Sequence, residues 1–519
     1  MRRLRAAVFA ALFFALAGQG AQAQDVTLRS RDGAIELSGT LLGFDGEFYR
    51  LRTRYGELTL DGSGVLCEGI GCPSLTDYVA ELTISGSATI GAVLMPALVE
   101  AFALRGGLMA ERETLEDSAF RYVLTSRATE KPVGRFTFRM TNTAEGFADL
   151  MADEADIVMA LREIRPEERR TAEAAGLGDL ADANRSRVLA LDALVPIVSP
   201  SNPVDTLSLP QLSALLTGRI DNWAALGGPD APVVLHLPGA ESGLAQRVED
   251  RLLRPVAVGL AGELRRHDDN AALAQAVARD AFGLGLASFS ETGNAKSLVL
   301  TGACGFQLRA ARRSVKTEDY PLTAPIFLYL PARRLPALAR DFLAFTRSPP
   351  AQIVIRRAGF VDQAPEEVPL DMQGDRLANA IRVAEGVDGL ETLRRMVSEL
   401  ATMRRLTTSF RFEAGSARLD AQSRSNVQQL ARELEAGTYD DRRLVFVGFS
   451  DGVGPVSANL EIATQRAEAV RAAIITAAEA ADLTRIEIAT DAYGEAMPMA
   501  CDDSAWGREV NRRVEVWVR

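Results

Sequence analysis

The chain has 519 residues, 47% of them hydrophobic and 24% charged, with a mean hydropathy of +0.02, a composition that fits a folded chain with room for about three domains. A formal net charge of −11 argues against non-specific binding to nucleic acid or to anionic lipid. Lys131, Lys296 and Lys316 are the only lysines, so the basic charge is almost all arginine, whose planar guanidinium binds carboxylates bidentately. Residues 1–23 have the layout of an export signal. Arg2, Arg3 and Arg5 precede an apolar run from Ala6 to about Gly18, and Ala21-Gln22-Ala23 forms a cleavage site. The run is short for a membrane span, and no later stretch reaches about 18 uninterrupted apolar residues. Cleavage after Ala23 and export of a soluble protein are expected.

Residues 24–78 read as a small β module, because "DVTLRSRDGAIELSGTLLGFDGEFYRLRTRYGELTLDG" carries short alternating runs broken by Asp32-Gly33 and Asp45-Gly46. Cys67 and Cys72 bracket "CEGIGC", a short glycine-containing loop suited to a disulfide in an exported chain. A Cys304–Cys501 bond would join two distant segments, and the spacing does not decide it. His236 and His267 are the only histidines and neither is near a cysteine pair, so no metal or cofactor is expected.

Residues 79–361 alternate strand and helix patterns. "ADIVMAL", "RVLALDALVPIVSP" and "FGLGLASFS" are apolar runs suited to buried strands, while "LSLPQLSALLTG" and "NAALAQAVARD" are helical. The alternation predicts an α/β domain with mostly parallel sheets, long enough for two lobes. Polar turns at "SGSAT", "TNTAEGFADL" and "AESGLAQ" each lead into a helix, where free N–H groups favour anions. Serine there is equally a plain helix cap. With Arg162 after a buried strand, the candidate anion ligands are Ser87, Thr89, Thr143, Arg162 and Ser242.

Through "ISGSAT", "ADIVMALREIRPEE", "LDALVPIVSPSNPV", "LSLPQLSALLTGRIDNWAALGG", "ESG" and "DYPL", this stretch resembles the phosphate-binding proteins of ABC importers, in the type II periplasmic binding fold. The resemblance implies a two-lobed domain that closes on a small anion such as phosphate, with an ABC permease as a partner. Leu161 and Leu244 stand where that family carries hydroxyls. A different anion, weaker phosphate binding and a retired pocket are therefore all open.

Residues 362–405 are polar, then amphipathic, with Leu390, Leu393, Val397 and Leu400 at helical intervals. They predict a helical linker, or else a packed connector. Residues 406–519 give the order β-α-β-α-β and a closing strand, an α/β sandwich of domain size. No series of alternating membrane strands appears, so a barrel is not expected. Asp451 follows a strand, and Asn459, Ala463 and Arg466 share one face of the next helix. A carboxylate and a guanidinium on facing elements suit a zwitterion, the acid taking an ammonium and the arginine a carboxylate.

"FRFEAGSARLD", "GFSDGVGPVSANLEIATQRAEAV", "AYGEAMP" and "NRRVEVWV" resemble the OmpA-like peptidoglycan-binding domain. The resemblance implies that Asp451 and Arg466 grip the diaminopimelate of the peptide stem, with Asn459 and Arg513 lining the pocket. The family's "GHTD" reads "GFSD" here, with Phe449 and Ser450, and its Leu-Ser before the arginine reads Ile462-Ala463.

No nucleophile–base set, nucleophile elbow or Walker A loop is present, so the expected protein is not an enzyme. The expected fold class is multidomain α/β and α+β: a small β module, a two-lobed binding-protein domain and an OmpA-like α/β sandwich. The expected function is that of a periplasmic, wall-associated protein, near the outer membrane, binding peptidoglycan and a small anion, with no nucleic-acid partner. The alternative is a structural envelope protein whose middle domain is an interaction scaffold.

Overall fold

The computed structural model describes residues 25–519 apart from 75–76, 241, 255–257, 263, 385 and 414–417. The expected export signal, residues 1–23, lies outside them. Five antiparallel strands form the first unit: Asp25–Ser30, Glu36–Phe44, Phe48–Thr53, Gly56–Asp61 and Val65–Glu68. Period-two alternation buries Val26, Leu28, Tyr49 and Leu51 together. Both Asp-Gly turns are real, with Gly33 at φ +74 and Gly46 at φ +95. Cys67 and Cys72 are bonded. The unit is docked rather than loose, because Arg334 of the middle domain donates to Asp45 at 2.8 Å.

The middle domain is built on one eleven-stranded sheet. Two long antiparallel strands, Ser186–Val198 and Thr323–Tyr329, join its halves. On one side lie Ile157–Ala160, Ala80–Ser87, Pro132–Thr141, Ala119–Ser126 and Leu108–Glu116; on the other lie Gly283–Ser288, Val234–Pro238 and Arg265–His267, and the short strand Lys296–Ser297 pairs with the end of Ser186–Val198. The two-lobed α/β architecture is as expected, but the sheet is mixed rather than mostly parallel. Residues 108–141 form an antiparallel meander whose strands are joined by tight turns, and such turns reverse the chain. At the centre, strand Ala80–Ser87 lies parallel to Ile157–Ala160 and to Pro132–Thr141. Gly86 has φ +130, and a Cβ there would stand 2.2 Å from the Met159 carbonyl oxygen, so the first polar turn is formed against a neighbouring backbone.

Residues 362–405 are a packed connector. Strand Glu367–Pro369 pairs with Arg404–Arg411 and becomes the edge of the C-terminal sheet. Helices Gly374–Val383 and Gly386–Leu400 bring Ala380, Leu393, Met396 and Leu400 onto Val445, Val447, Phe449 and Trp517. The opposite face of that sheet carries helices Ala421–Glu435 and Val456–Ala477, over Phe410, Leu444, Phe446, Val514 and Val516. The sheet runs Glu367–Pro369, Arg404–Arg411, Arg513–Val518, Arg443–Phe449, Glu487–Ala492. Covered on both faces, its inner strands are buried almost throughout, polar residues included.

The two larger domains meet over a charged seam. Arg405 donates to both Asp319 oxygens, at 2.8 and 3.2 Å, and Arg411 donates to the carbonyls of Thr317 and Glu318. Burial alone would raise the Asp319 carboxyl, but Arg405 and its neighbours hold it well below the carboxylate range. Cys304 and Cys501 form a second disulfide across the seam, closing 197 residues.

Candidate functional site

The C-terminal cleft begins with close packing. A Cβ on Gly448 would stand 2.0 Å from the Ala463 carbonyl oxygen, so the helix Val456–Ala477 rests directly on the strand Arg443–Phe449. The strand ends at Phe449, and Asp451 follows at the mouth of the loop that feeds the helix. One Asp451 oxygen accepts from Arg512 Nη1 at 2.8 Å and the other accepts from the Val453 N–H at 3.2 Å. Arg466 reaches the same place from the helix, with its guanidinium 5.2 Å above the Phe412 ring. Burial and the Arg512 charge lower the Arg466 pKa, while Asp451 raises it. Among the described residues no carboxylate lies within ion-pair distance of Arg466. The cleft therefore offers one acid and two guanidiniums, one of them uncommitted.

Asn459 and Arg513 sit apart from this constellation. Asn459 is buried, and its amide donates to Glu495 at 2.8 Å, fixing the 494–495 loop. Arg513 is fully buried on the other face of the sheet, 4.2 Å over the Phe449 ring, and donates to Glu515, the Asn511 carbonyl and the Met497 carbonyl. Successive side chains on a strand point to opposite faces, so in "NRR" it is Arg512 that meets Asp451. The sequence pattern holds this signal, since Val514 and Val516 mark the face under helices Ala421–Glu435 and Val456–Ala477 and Arg512 shares their parity. Phe449 lies on the Arg513 face and so does not touch the clamp; the Ser450 Oγ is buried without a partner.

In the middle domain the three polar turns do converge. A Cβ on Gly243 would meet Leu161 Cδ1 at 3.1 Å, Thr143 Oγ1 at 3.2 Å and Ser87 Oγ at 3.4 Å. Each hydroxyl has a local duty or is packed. Thr143 Oγ1 accepts from the Leu161 N–H at 3.1 Å, and Ser242 Oγ caps its helix by accepting from the Ala245 N–H at 3.1 Å. Ser87 is buried beside them, and Thr89 is half-buried at the start of the helix. Arg162 is neutralised: its guanidinium grips both Glu168 oxygens, at 2.8 and 2.7 Å. Glu168 is placed for this by the first turn of helix Pro166–Ala174, where it also accepts from the Arg165 N–H. Two further features, the buried Arg247 and the pairing of His236, are not marked in the sequence. Arg247 is fully buried, donates twice to the Leu161 carbonyl, and leaves Nη1 without a hydrogen bond. His236 is hydrogen-bonded between His267 at 3.0 Å and Asp280 at 3.1 Å, from strands that the sequence does not mark as adjacent.

A two-lobed binding-protein domain joined to an OmpA-type sandwich is the class that this fold defines. The family model described as "PBP superfamily domain" matches residues 105–350, and that of the OmpA family matches residues 411–512. The chain is thus a fusion of a PBP-like domain with a C-terminal OmpA domain. Over 237 residues it is 27% identical to protein SphX of Synechococcus elongatus, covering 43% of this chain and 68% of that one. Over 105 residues it is 31% identical to the probable lipoprotein YiaD of Escherichia coli, covering 20% of this chain and 45% of that one. A solved ABC-type phosphate transport receptor from Vibrio cholerae aligns with 54% of this chain and 99% of its own, at 20% identity and a TM-score of 0.42. Among the described residues no helix is long and apolar enough to cross a membrane.

Proposed function

We propose that the protein is an exported, non-enzymatic envelope protein that binds the peptidoglycan peptide stem in the cleft of Asp451 and Arg466. The observation that carries this is the uncommitted Arg466 beside an acid that already holds a second arginine. A stem residue with an ammonium and a carboxylate at one centre would offer the ammonium to Asp451 and the carboxylate to Arg466 and Arg512. The OmpA-family match and the YiaD likeness support the same reading. Purified sacculi should carry the protein down on centrifugation, and Asp451→Ala with Arg466→Ala should leave it in the supernatant. Full pelleting of the double variant would place wall binding elsewhere.

For the middle domain, the PBP-like match, the likeness to SphX and a 22% identity over 228 residues to phosphate-binding protein PstS of Staphylococcus haemolyticus support a small anion such as phosphate as ligand, with an ABC permease as partner. The bidentate Arg162–Glu168 pair and the filled space around Gly243 favour the second reading, a scaffold held beside the wall. Calorimetry with inorganic phosphate separates the two: binding that is lost on Arg162→Gln supports capture at the three turns, and its absence supports the scaffold.

A further inference from the structure

Three arginines gather at the domain seam without an acid of their own. Arg187 opens the strand Ser186–Val198, and Arg347 lies between the helices Ala337–Phe345 and Pro349–Arg357. Arg432 comes from the helix Ala421–Glu435 of the C-terminal domain. Arg347, Arg432 and Val188, the neighbour of Arg187, line a cavity of about 490 Å³. Among the described residues none of the three arginines makes an ion pair or a side-chain hydrogen bond, and Arg187 Nε is buried without a partner. The acids in the cavity wall are engaged elsewhere: Glu367 accepts from Arg442 at 2.6 Å and Glu433 accepts from the Tyr439 hydroxyl at 2.9 Å. Glu433 and Glu435 are felt by Arg432 but lie beyond ion-pair distance. Packing of its inner side against the cavity wall, then the charges of Arg187 and Arg432, lower the Arg347 guanidinium although the side chain still reaches solvent, and burial with Arg432 and Arg185 lowers Arg187. Like charges held together in a concave wall cost free energy that a bound anion would remove.

We propose that this seam cavity is a binding site for a phosphate-type oxyanion of at least two negative charges, held by Arg347 and Arg432, with the Arg187 charge behind the wall adding to the attraction. Guanidiniums arriving from a turn and a helix can each take oxygens of one tetrahedral anion, whereas a planar carboxylate is satisfied by one arginine. The space exceeds that of a bare phosphate, and Leu189, Pro349, Pro365 and Leu406 in its wall accommodate an apolar body attached to it. Arg347 and Arg432 remain open to solvent, so the anion has a way in. Arg347 belongs to the PBP-like domain and Arg432 to the OmpA domain, so the bound anion strengthens the seam.

The test is calorimetry of the full chain with inorganic phosphate and with pyrophosphate, alongside Arg347→Gln/Arg432→Gln and Arg162→Gln. Pyrophosphate is expected to bind the wild type and Arg162→Gln equally, and the double variant at least tenfold more weakly. Because both substituted side chains are exposed, the double variant should keep the wild-type melting temperature, and should still pellet with sacculi whether or not the anion binds. No binding of either anion by the wild type would overturn the proposal. So would undiminished binding by the double variant, or loss in Arg162→Gln alone, which would put the anion at the three turns instead.

Discussion

Two neighbouring arginines in "NRRVEV" have opposite fates, and the difference is one of parity. Arg512, 21% exposed, pairs with Asp451, 14% exposed, in a cleft that water reaches. Arg513, with no exposure, completes a network in which Glu515 also receives Arg376 and Arg405. Burial would raise the Glu515 carboxyl, but the three arginines hold it down at about 2. Removing one member of a buried charged network leaves its partner poorly compensated, at a cost of about 3–5 kcal/mol. Because Arg376 and Arg405 still hold Glu515, Arg513→Ala should cost about 3 kcal/mol, at the lower end of that range. Arg512→Ala should cost about 1 kcal/mol or less, as partly exposed pairs do, while weakening sacculus binding. Urea unfolding midpoints of the two variants decide this; equal losses would refute the division of roles. The Asp451–Arg466 interval was legible in the sequence, but which arginine of the pair joins them was not read, because it depends on the register of the last strand.

At the scale of elements, the cleft depends on how closely one helix lies on one strand. Gly448 and Ala463 let the helix Val456–Ala477 approach until no side chain separates them, and this sets where Arg466 stands relative to Asp451. Gly448→Ala adds a methyl group where the Ala463 carbonyl already is, so the helix must lift along its first half. Overpacking of this kind costs about 3 kcal/mol. The variant should therefore lower the unfolding midpoint and also lose sacculus binding with Asp451 and Arg466 both in place. A variant that is less stable yet pellets fully would show that the interval does not need this contact. Helix and strand identities here were readable from apolar period and caps. The connector was less so: its helices show a clear apolar face, but strand Glu367–Pro369 is three residues long and gains its structure from pairing with Arg404–Arg411. A strand that short has no periodicity to read.

For the whole molecule, the order of a β module, a binding-protein domain and an OmpA domain can be read along the chain, whereas the seam that joins them cannot. Its contacts link residues far apart in sequence, such as Asp319 with Arg405 and Cys304 with Cys501, and nothing local marks them. The C-terminal domain touches the middle domain in more than one place. Helix Ala421–Glu435 packs against the long strand Ser186–Val198, and Trp506 donates to the Arg251 carbonyl farther along the domain. The strength of this seam is expected to depend on pH. Glu318 lies in it at φ +56, facing Asp420, Arg411, Asp319 and Arg251; burial, then Asp420, pushes its carboxyl up to about 8. Its pKa in the unfolded chain is the ordinary 4.5. The folded protein thus holds the proton over a window in which the unfolded chain has lost it, and the stability that this gives is complete below pH 4.5 and is lost as pH rises through about 8. Glu318→Gln keeps the neutral shape at every pH. It should match the wild type in melting temperature near pH 4.5 and exceed it progressively up to about pH 8, beyond which the gap is constant. Parallel melting curves of the two proteins across that range would show that Glu318 ionises freely and that the seam does not hold its proton.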